Sequence, residues 1–268
     1  MRVPDFPYLI IASQRDVEQP RNLGYRGWRP PAARRKLRDV LPYPQTLPRS
    51  SWAARITALG PSNLAMRYPL PAKDQDGIGY CWVYGTTRAI EVERARRGLK
   101  QLDLCPESLG GPLTGWRNEG GYAAEAFGGA QTAGIAEATY CPQPHALRPS
   151  LWNPGWQGNA ARQKCTSWYD LEPSDRQPNY DELVSALLEP LPVAIGLDWW
   201  GHLVCALAAV IIPIQAGLTP NTPTGDTVGV LFQNSWGADW PTEGENGYAV
   251  LTEATATPDG AGVPIITT

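Results

Sequence analysis

The chain has 268 residues, 43 % of them hydrophobic and 18 % charged, with 27 glycines, 27 prolines and a formal net charge of −3. That length accommodates one domain of roughly 200–250 residues or two lobes sharing a cleft, and the Pro and Gly content predicts short elements joined by turns rather than a helical bundle. No stretch reaches the roughly 18 apolar residues of a membrane-crossing helix, and the five cysteines lack metal-type C-x-x-C spacing and predict reduced thiols.

Residues 1–64 are rich in Pro and Arg, with isolated aromatics (Tyr25, Trp28, Tyr43, Trp52) and no sustained period of two or 3.6. They predict an extended arm with one short helix around Ala32–Val40. Residues 1–57 hold eleven Lys/Arg against four Asp/Glu, so a basic arm precedes an acidic body. Without a base-reading motif, this arm is expected to lie on its own body or on an assembly partner rather than on nucleic acid. The opening Met1–Ser13 has an acidic residue, two prolines and no convincing cleavage site, which predicts a cytoplasmic or assembly-associated, even virion-associated, location.

Cys81 follows the turn residues Gly77 and Gly79 and opens a helical run (Trp82, Val83, Ala89, Ile90, Val92) closed by Gly98. A thiol at a helix N-terminus sits in the partial positive charge of the first-turn N–H groups, which favours the nucleophilic thiolate. A loop through Leu102–Leu109 leads to a helix over Ala123–Ala133, and 141–179 read as irregular. Asn179 caps an amphipathic helix that Pro190 stops. Apolar runs at strand length follow: Val193–Asp198, Leu203–Val210, Val228–Gln233 and Tyr248–Leu251. Helices in the first half and strands in the second predict an α+β fold of two lobes over 65–252, with 253–268 as a tail.

A cysteine nucleophile needs a base for its proton and a third group to hold the imidazole. Of the two histidines, His145 lies in a Pro/Gln-bearing loop, whereas His202 opens an apolar strand that can present it at the edge of a cleft. His202 is therefore the expected base. Asn234, at the end of the next strand, can accept from its ring N–H, and Trp236 can cover that bond. Cys105, Cys141, Cys165 and Cys205 read as packing or surface thiols and His145 as a surface loop residue. With two histidines and no Cys/His cluster, no metal and no cofactor are expected.

These residues resemble the papain-like cysteine peptidases (C1 family). Pro71–Trp82, with Gln75 six positions before Cys81, looks like the family's nucleophile motif. Leu104–Leu109 resembles its L-S-x-x-x-L stretch, and Asn118-Glu-Gly-Gly-Tyr its C-N-G-G segment. His202–Leu207 is similar to H-A-V-x-x-V, and Asn234-Ser-Trp-Gly followed by Trp240 and 244–248 is nearly the family's own wording. The resemblance covers about residues 69–252.

What it implies is a two-lobed fold with a cleft between a helical and a β-rich lobe, and hydrolysis of polypeptide substrates through a thioester acyl-enzyme. Cys81 would be nucleophile, His202 base then acid, and Asn234 its orienting group. The Gln75 amide with the Cys81 N–H would form the oxyanion hole. Gly120, Gly121, Tyr122, Trp200 and Trp236 would line the substrate cleft. Three departures stand out. Ile78 and Asn118 occupy positions where extracellular members usually carry a disulfide, Gly201 precedes the histidine where an acid or amide is common, and residues 1–64 do not look like a helical inhibitory propeptide. The alternative is a papain-like domain serving as a structural component of a larger assembly such as a viral particle, held through its arm and tail.

Overall fold

Apolar runs and turn residues become elements close to where the sequence puts them, in a computed structural model that describes residues 8–13, 16, 41–60, 63–171, 179–213, 218–242 and 245–267. The helix expected around Ala32–Val40 lies outside the described residues. In chain order the elements are β1 (Leu9–Ile11), β2 (Leu41–Pro42), α1 (Trp52–Leu59), α2 (Leu64–Arg67), α3 (Cys81–Arg96), α4 (Pro106–Thr114), α5 (Ala123–Thr132) and α6 (Trp156–Ala160). They continue with β3 (Ser167–Asp170), α7 (Tyr180–Leu188), β4 (Val193–Leu197), β5 (His202–Ile212), β6 (Thr227–Gln233), β7 (Tyr248–Leu251), α8 (Glu253–Ala256) and β8 (Gly260–Ile265). The helices Cys81–Arg96, Ala123–Thr132 and Tyr180–Leu188 and strands β4 to β7 match the sequence expectation. Asn179 caps α7 as its side chain accepts from the Glu182 N–H at 2.8 Å.

One mixed sheet runs in the order β1-β7-β6-β5-β4-β8-β3-β2. Its central strands are apolar throughout because both faces are covered. Along β5, Leu203, Cys205 and Leu207 join the core on the side of α3, while Val204 and Ala206 join the core on the side of α7. A register shift between Ala206 and Ala208 then turns the alternation over. Helices α3, α4 and α5 form the helical lobe against the first face, giving the α+β arrangement the sequence predicts.

One expectation about the chain ends is corrected, and for the arm one of the two expected placements is the one observed. The stretch expected as a tail, 253–268, is built into the domain over its described residues 253–267: β8 lies between β4 and β3, antiparallel to both, with Val263 fully buried. Its Gly-Ala-Gly-Val-Pro-Ile sequence carries little strand propensity, so pairing partners and burial decide its conformation. Gly262 is required there by close approach, since a Cβ would come within 2.4 Å of the Phe127 ring. The described part of the arm is likewise built in: β1 pairs with β7, β2 pairs with β3, and α1 packs on α7. Arg49 joins both ends to the body through Asp181 (2.7 Å) and Glu253 (2.6 Å). The described segments of the arm and tail are thus ordered by their own domain, which counts against the assembly-component alternative.

Two further segments differ from expectation. The second half of the loop expected through Leu102–Leu109 instead opens α4, which starts with Pro106 at its first position and ends on left-handed Gly115. The supposedly irregular 141–179 contains α6 and β3 and builds a satellite cluster in which Trp116, Trp152 and Trp156 meet edge to face at 5.2–5.9 Å. Tryptophans scattered without period give no helical or strand signal, yet their bulk makes such a segment pack.

Candidate active site

The turn before α3 is built from left-handed Asp76 and Gly77 and closed by the Ile78 N–H donating to the Gln75 carbonyl at 2.9 Å. It delivers Cys81 to the first residue of α3, where the thiol is fully buried. One turn further along, Gly85 lets the helix meet the strand that begins with His202: a Cβ at Gly85 would stand 3.1 Å from the Val204 carbonyl carbon. The helix headed by Cys81 is thus seated on the start of β5.

His202 is fully buried after the four-residue turn Asp198–Gly201, closed by the Trp200 N–H to the Leu197 carbonyl (3.1 Å) and by left-handed Gly201. Its Nε2 lies 2.7 Å from Asn234 Oδ1, and the Ser235 N–H donates to the same oxygen at 2.8 Å. With Asn234 Oδ1 accepting, the ring proton belongs on Nε2. The imidazole centroid lies 4.8 Å from the Trp236 ring and 4.9 Å from Trp200.

Gln75 is drawn into the same network. Its N–H donates to the Ser235 carbonyl (3.0 Å), its Oε1 accepts from Ser235 Oγ (2.6 Å), and its Nε2 donates to the Ile78 carbonyl (2.5 Å). An amide nitrogen carries two protons, so Nε2 can serve a second acceptor. Ser235, which the sequence reading passed over, therefore bridges Gln75 and Asn234. The only signal for it was its place inside the Asn-Ser-Trp-Gly run.

The glycine segment comes to the same helix end. Trp82 Nε1 donates to the Glu119 carbonyl at 3.3 Å, its indole packs on Gly121, and Asn118 Oδ1 accepts from the Gly79 N–H at 2.6 Å. That last bond joins the two stretches in which Ile78 and Asn118 stand at the positions of the usual cysteines. Gly120 is half-buried in the loop, and half-buried Tyr122 caps α5. Trp200, expected to line the cleft, is placed elsewhere. It is 3 % exposed, packed on Trp199, Phe232, Trp236 and Trp240 as well as on His202. A ring so enclosed contacts the imidazole, not a substrate.

The other thiols differ in setting. Burial pushes the Cys165 thiol up to about 11 and holds Cys105 and Cys205 well above the ordinary range, so all three stay protonated at neutral pH. His145 is less isolated than the sequence suggests: its Nε2 lies 3.2 Å from Tyr84 Oη and 3.5 Å from the buried Glu107 carboxylate, and its Nδ1 is 3.5 Å from Asp76. His145, Tyr84 and Glu107 border a cavity of about 560 Å³ with Lys73, Arg88 and Glu91. Among the described residues, no group of three or more His, Cys, Asp or Glu is placed to hold a metal ion.

No family model matches the chain. It is 26 % identical over 202 residues to cathepsin K of Gallus gallus, covering 69 % of this chain and 55 % of that protein. It is also 26 % identical over 196 residues to the thiol protease aleurain of Arabidopsis thaliana, covering 66 % and 51 %. The chain thus spans about half the length of the curated relatives it matches. Among solved structures, digestive procathepsin L 3 from Tenebrio molitor larval midgut superposes with a TM-score of 0.60 at 19 % identity, over 91 % of this chain and 77 % of that one. Xylellain, a cysteine protease from Xylella fastidiosa, superposes with a TM-score of 0.59 at 17 % identity, over 94 % and 100 %. The chain is similar in sequence to papain-like cysteine peptidases and shares the fold of these solved structures.

Proposed function

We propose that the chain is a cysteine peptidase that hydrolyses peptide bonds with Cys81, His202 and Asn234. The observation that carries this reading is the buried His202 Nε2 to Asn234 Oδ1 bond of 2.7 Å, at the foot of the strand on which the Cys81 helix is seated. A histidine held by an amide oxygen has one nitrogen fixed as donor, so Nδ1 is the atom that exchanges a proton with the thiol.

In this mechanism the Cys81 thiol proton passes to His202 Nδ1, and the thiolate sulfur bonds to the scissile carbonyl carbon. Negative charge developing on the carbonyl oxygen is met by the Cys81 N–H and the second Nε2 proton of Gln75. The imidazolium returns its proton to the leaving amine as the C–N bond breaks, leaving a thioester. A water then gives a proton to His202 and attacks that carbonyl, releasing acid and thiol. Ser235 keeps the Gln75 amide oriented while Asn234 keeps the ring in its tautomer. Gly120 and Gly121 supply an edge for an extended peptide backbone, and Tyr122 adds an apolar contact beside it.

Treatment with an epoxysuccinyl thiol reagent, read by intact mass and peptide mapping, tests the proposal. The expected result is stoichiometric labelling at Cys81 alone, lost in Cys81→Ala and suppressed in His202→Ala, together with cleavage of fluorogenic peptides. Folded protein that leaves Cys81 unlabelled and the peptides intact would refute it.

A further inference from the structure

His202 has no acidic neighbour at position 201, where Gly201 makes a left-handed turn, yet the proposed mechanism requires its ring to hold a positive charge next to a thiolate. Three aromatic rings are in mutual contact at this point. The His202 centroid lies 4.9 Å from Trp200 and 4.8 Å from Trp236, and the two indoles are 5.4 Å apart. Both separations from the imidazole fall within the roughly 6 Å of a cation–aromatic contact, the imidazole plane being inclined by 59° to Trp200 and by 39° to Trp236. Asn234, the polar side chain on Nε2, is neutral. The other titratable and charged groups on elements adjoining His202 are Cys81, Tyr84, Arg88, Glu91 and Glu93 on α3, Cys205 on β5 itself, Asp198 in the same turn with Asp259 accepting from its N–H, Lys73 and Asp74 in the segment beside Trp236, and Asp239 in the loop to Trp240.

Trp200 is itself held rigidly. It stacks on Trp199 at 5.4 Å with planes 14° apart, and Trp199 is anchored by its Nε1 donating to the Thr255 carbonyl at 2.9 Å. Phe232 from β6 and Trp240 close its remaining sides at 6.0 and 6.3 Å. The turn that delivers His202 therefore also delivers a fixed indole to its ring.

We infer that Trp200 is a positioning residue for the His202 imidazolium, stabilising its charged form through the indole face and so maintaining the thiolate–imidazolium pair in place of a carboxylate. This rests on the proposed peptidase reading. It assigns Trp200 to the charge state of the base rather than to a substrate pocket, and it predicts an effect on the pH range of reactivity rather than on KM.

The test measures the rate of Cys81 alkylation by iodoacetate against pH, in which the thiolate sulfur forms a bond to carbon and iodide leaves. Wild type, Trp200→Phe, Trp200→Leu and a chain carrying tetrafluorotryptophan at position 200 are compared. Fluorination keeps the packing and removes the negative ring face, so it decides the matter even where Trp200→Leu fails to fold. Expected is a bell-shaped wild-type profile whose upper limit falls by about 0.5–1 pH unit in the leucine and fluorinated chains and by less in Trp200→Phe, with KM for peptides unchanged. An upper limit identical in wild type and the fluorinated chain overturns the inference while leaving the peptidase reading intact. A wild-type rate that rises only through the ordinary thiol range, with no bell, sinks the peptidase reading and this inference with it.

Discussion

The two histidines of this chain occupy opposite kinds of polar site. His202 is fully buried, bonded to a neutral amide and set against two indoles, on a strand in the middle of the sheet. His145 has a 35 % exposed side chain and lies in a loop, near Tyr84, Glu107 and Asp76. By contact charge alone His145 is the better-supplied base, with two carboxylates at 3.5 Å. What separates them is rigidity and place: His202 is fixed by backbone pairing to β4 and shares its strand with the residues under the Cys81 helix. A base is useful when its nitrogen is held near the nucleophile, and elements hold better than loops.

Mutation can reverse or sharpen this contrast. His202→Ala is expected to lower the Cys81 labelling rate at neutral pH by roughly 10²–10⁴-fold, the range of a lost general base. His145→Ala should change it less than about twofold. If His145→Ala silences labelling and His202→Ala does not, the assignment is inverted. Asn234→Ala removes the bond that fixes the His202 tautomer and should cost about 10–100-fold, as for a hydrogen bond to a charged group. Single-turnover acylation of a chromogenic ester reads this directly, and an unchanged rate would leave Asn234 as packing.

Smaller effects probe how firmly the strand under His202 is supported. Gly262→Ala pushes a methyl into the Phe127 ring within β8 and should destabilise the fold by about 1–3 kcal/mol. Denaturant unfolding with an unchanged midpoint would show that 253–267 is not part of the cooperative unit. The raised Cys165 thiol has a definite sign in linkage. Its stabilising contribution is complete below the ordinary thiol range near 9 and is lost as pH rises through about 11, because the unfolded chain releases that proton first. Stability should therefore decline over that interval, and Cys165→Ser should flatten the decline slightly. A decline of the same size in Cys165→Ser would assign it to other groups.

Most of the site could be read directly in the chain because its residues stand at element boundaries, where the local signals are strongest. Gly77 and Gly79 before Cys81, the apolar run after His202 and the Asn-Ser-Trp-Gly run at the end of β6 each mark an edge. Ser235 escaped because a serine between two conspicuous residues has no pattern of its own, and its role exists only through a bond to Gln75, 160 positions away. Trp200 was misplaced for a related reason: an aromatic beside a cleft strand reads equally as pocket wall or as cover until the rings around it are seen.

The sequence by itself determined the helices at Cys81, Ala123 and Tyr180 and the four strands β4 to β7, and it singled out Cys81, His202 and Asn234 as candidates for the proposed chemistry, since periodicity, caps and residue chemistry are local properties. The tertiary structure alone decided that the Gly/Pro-bearing stretch 260–265 is an inner strand, that β1 and β2 close the two ends of the sheet, and that Trp200 faces the imidazole. These depend on pairing and burial between residues far apart in the chain. Such contacts override weak propensity, and no window of neighbouring residues contains them.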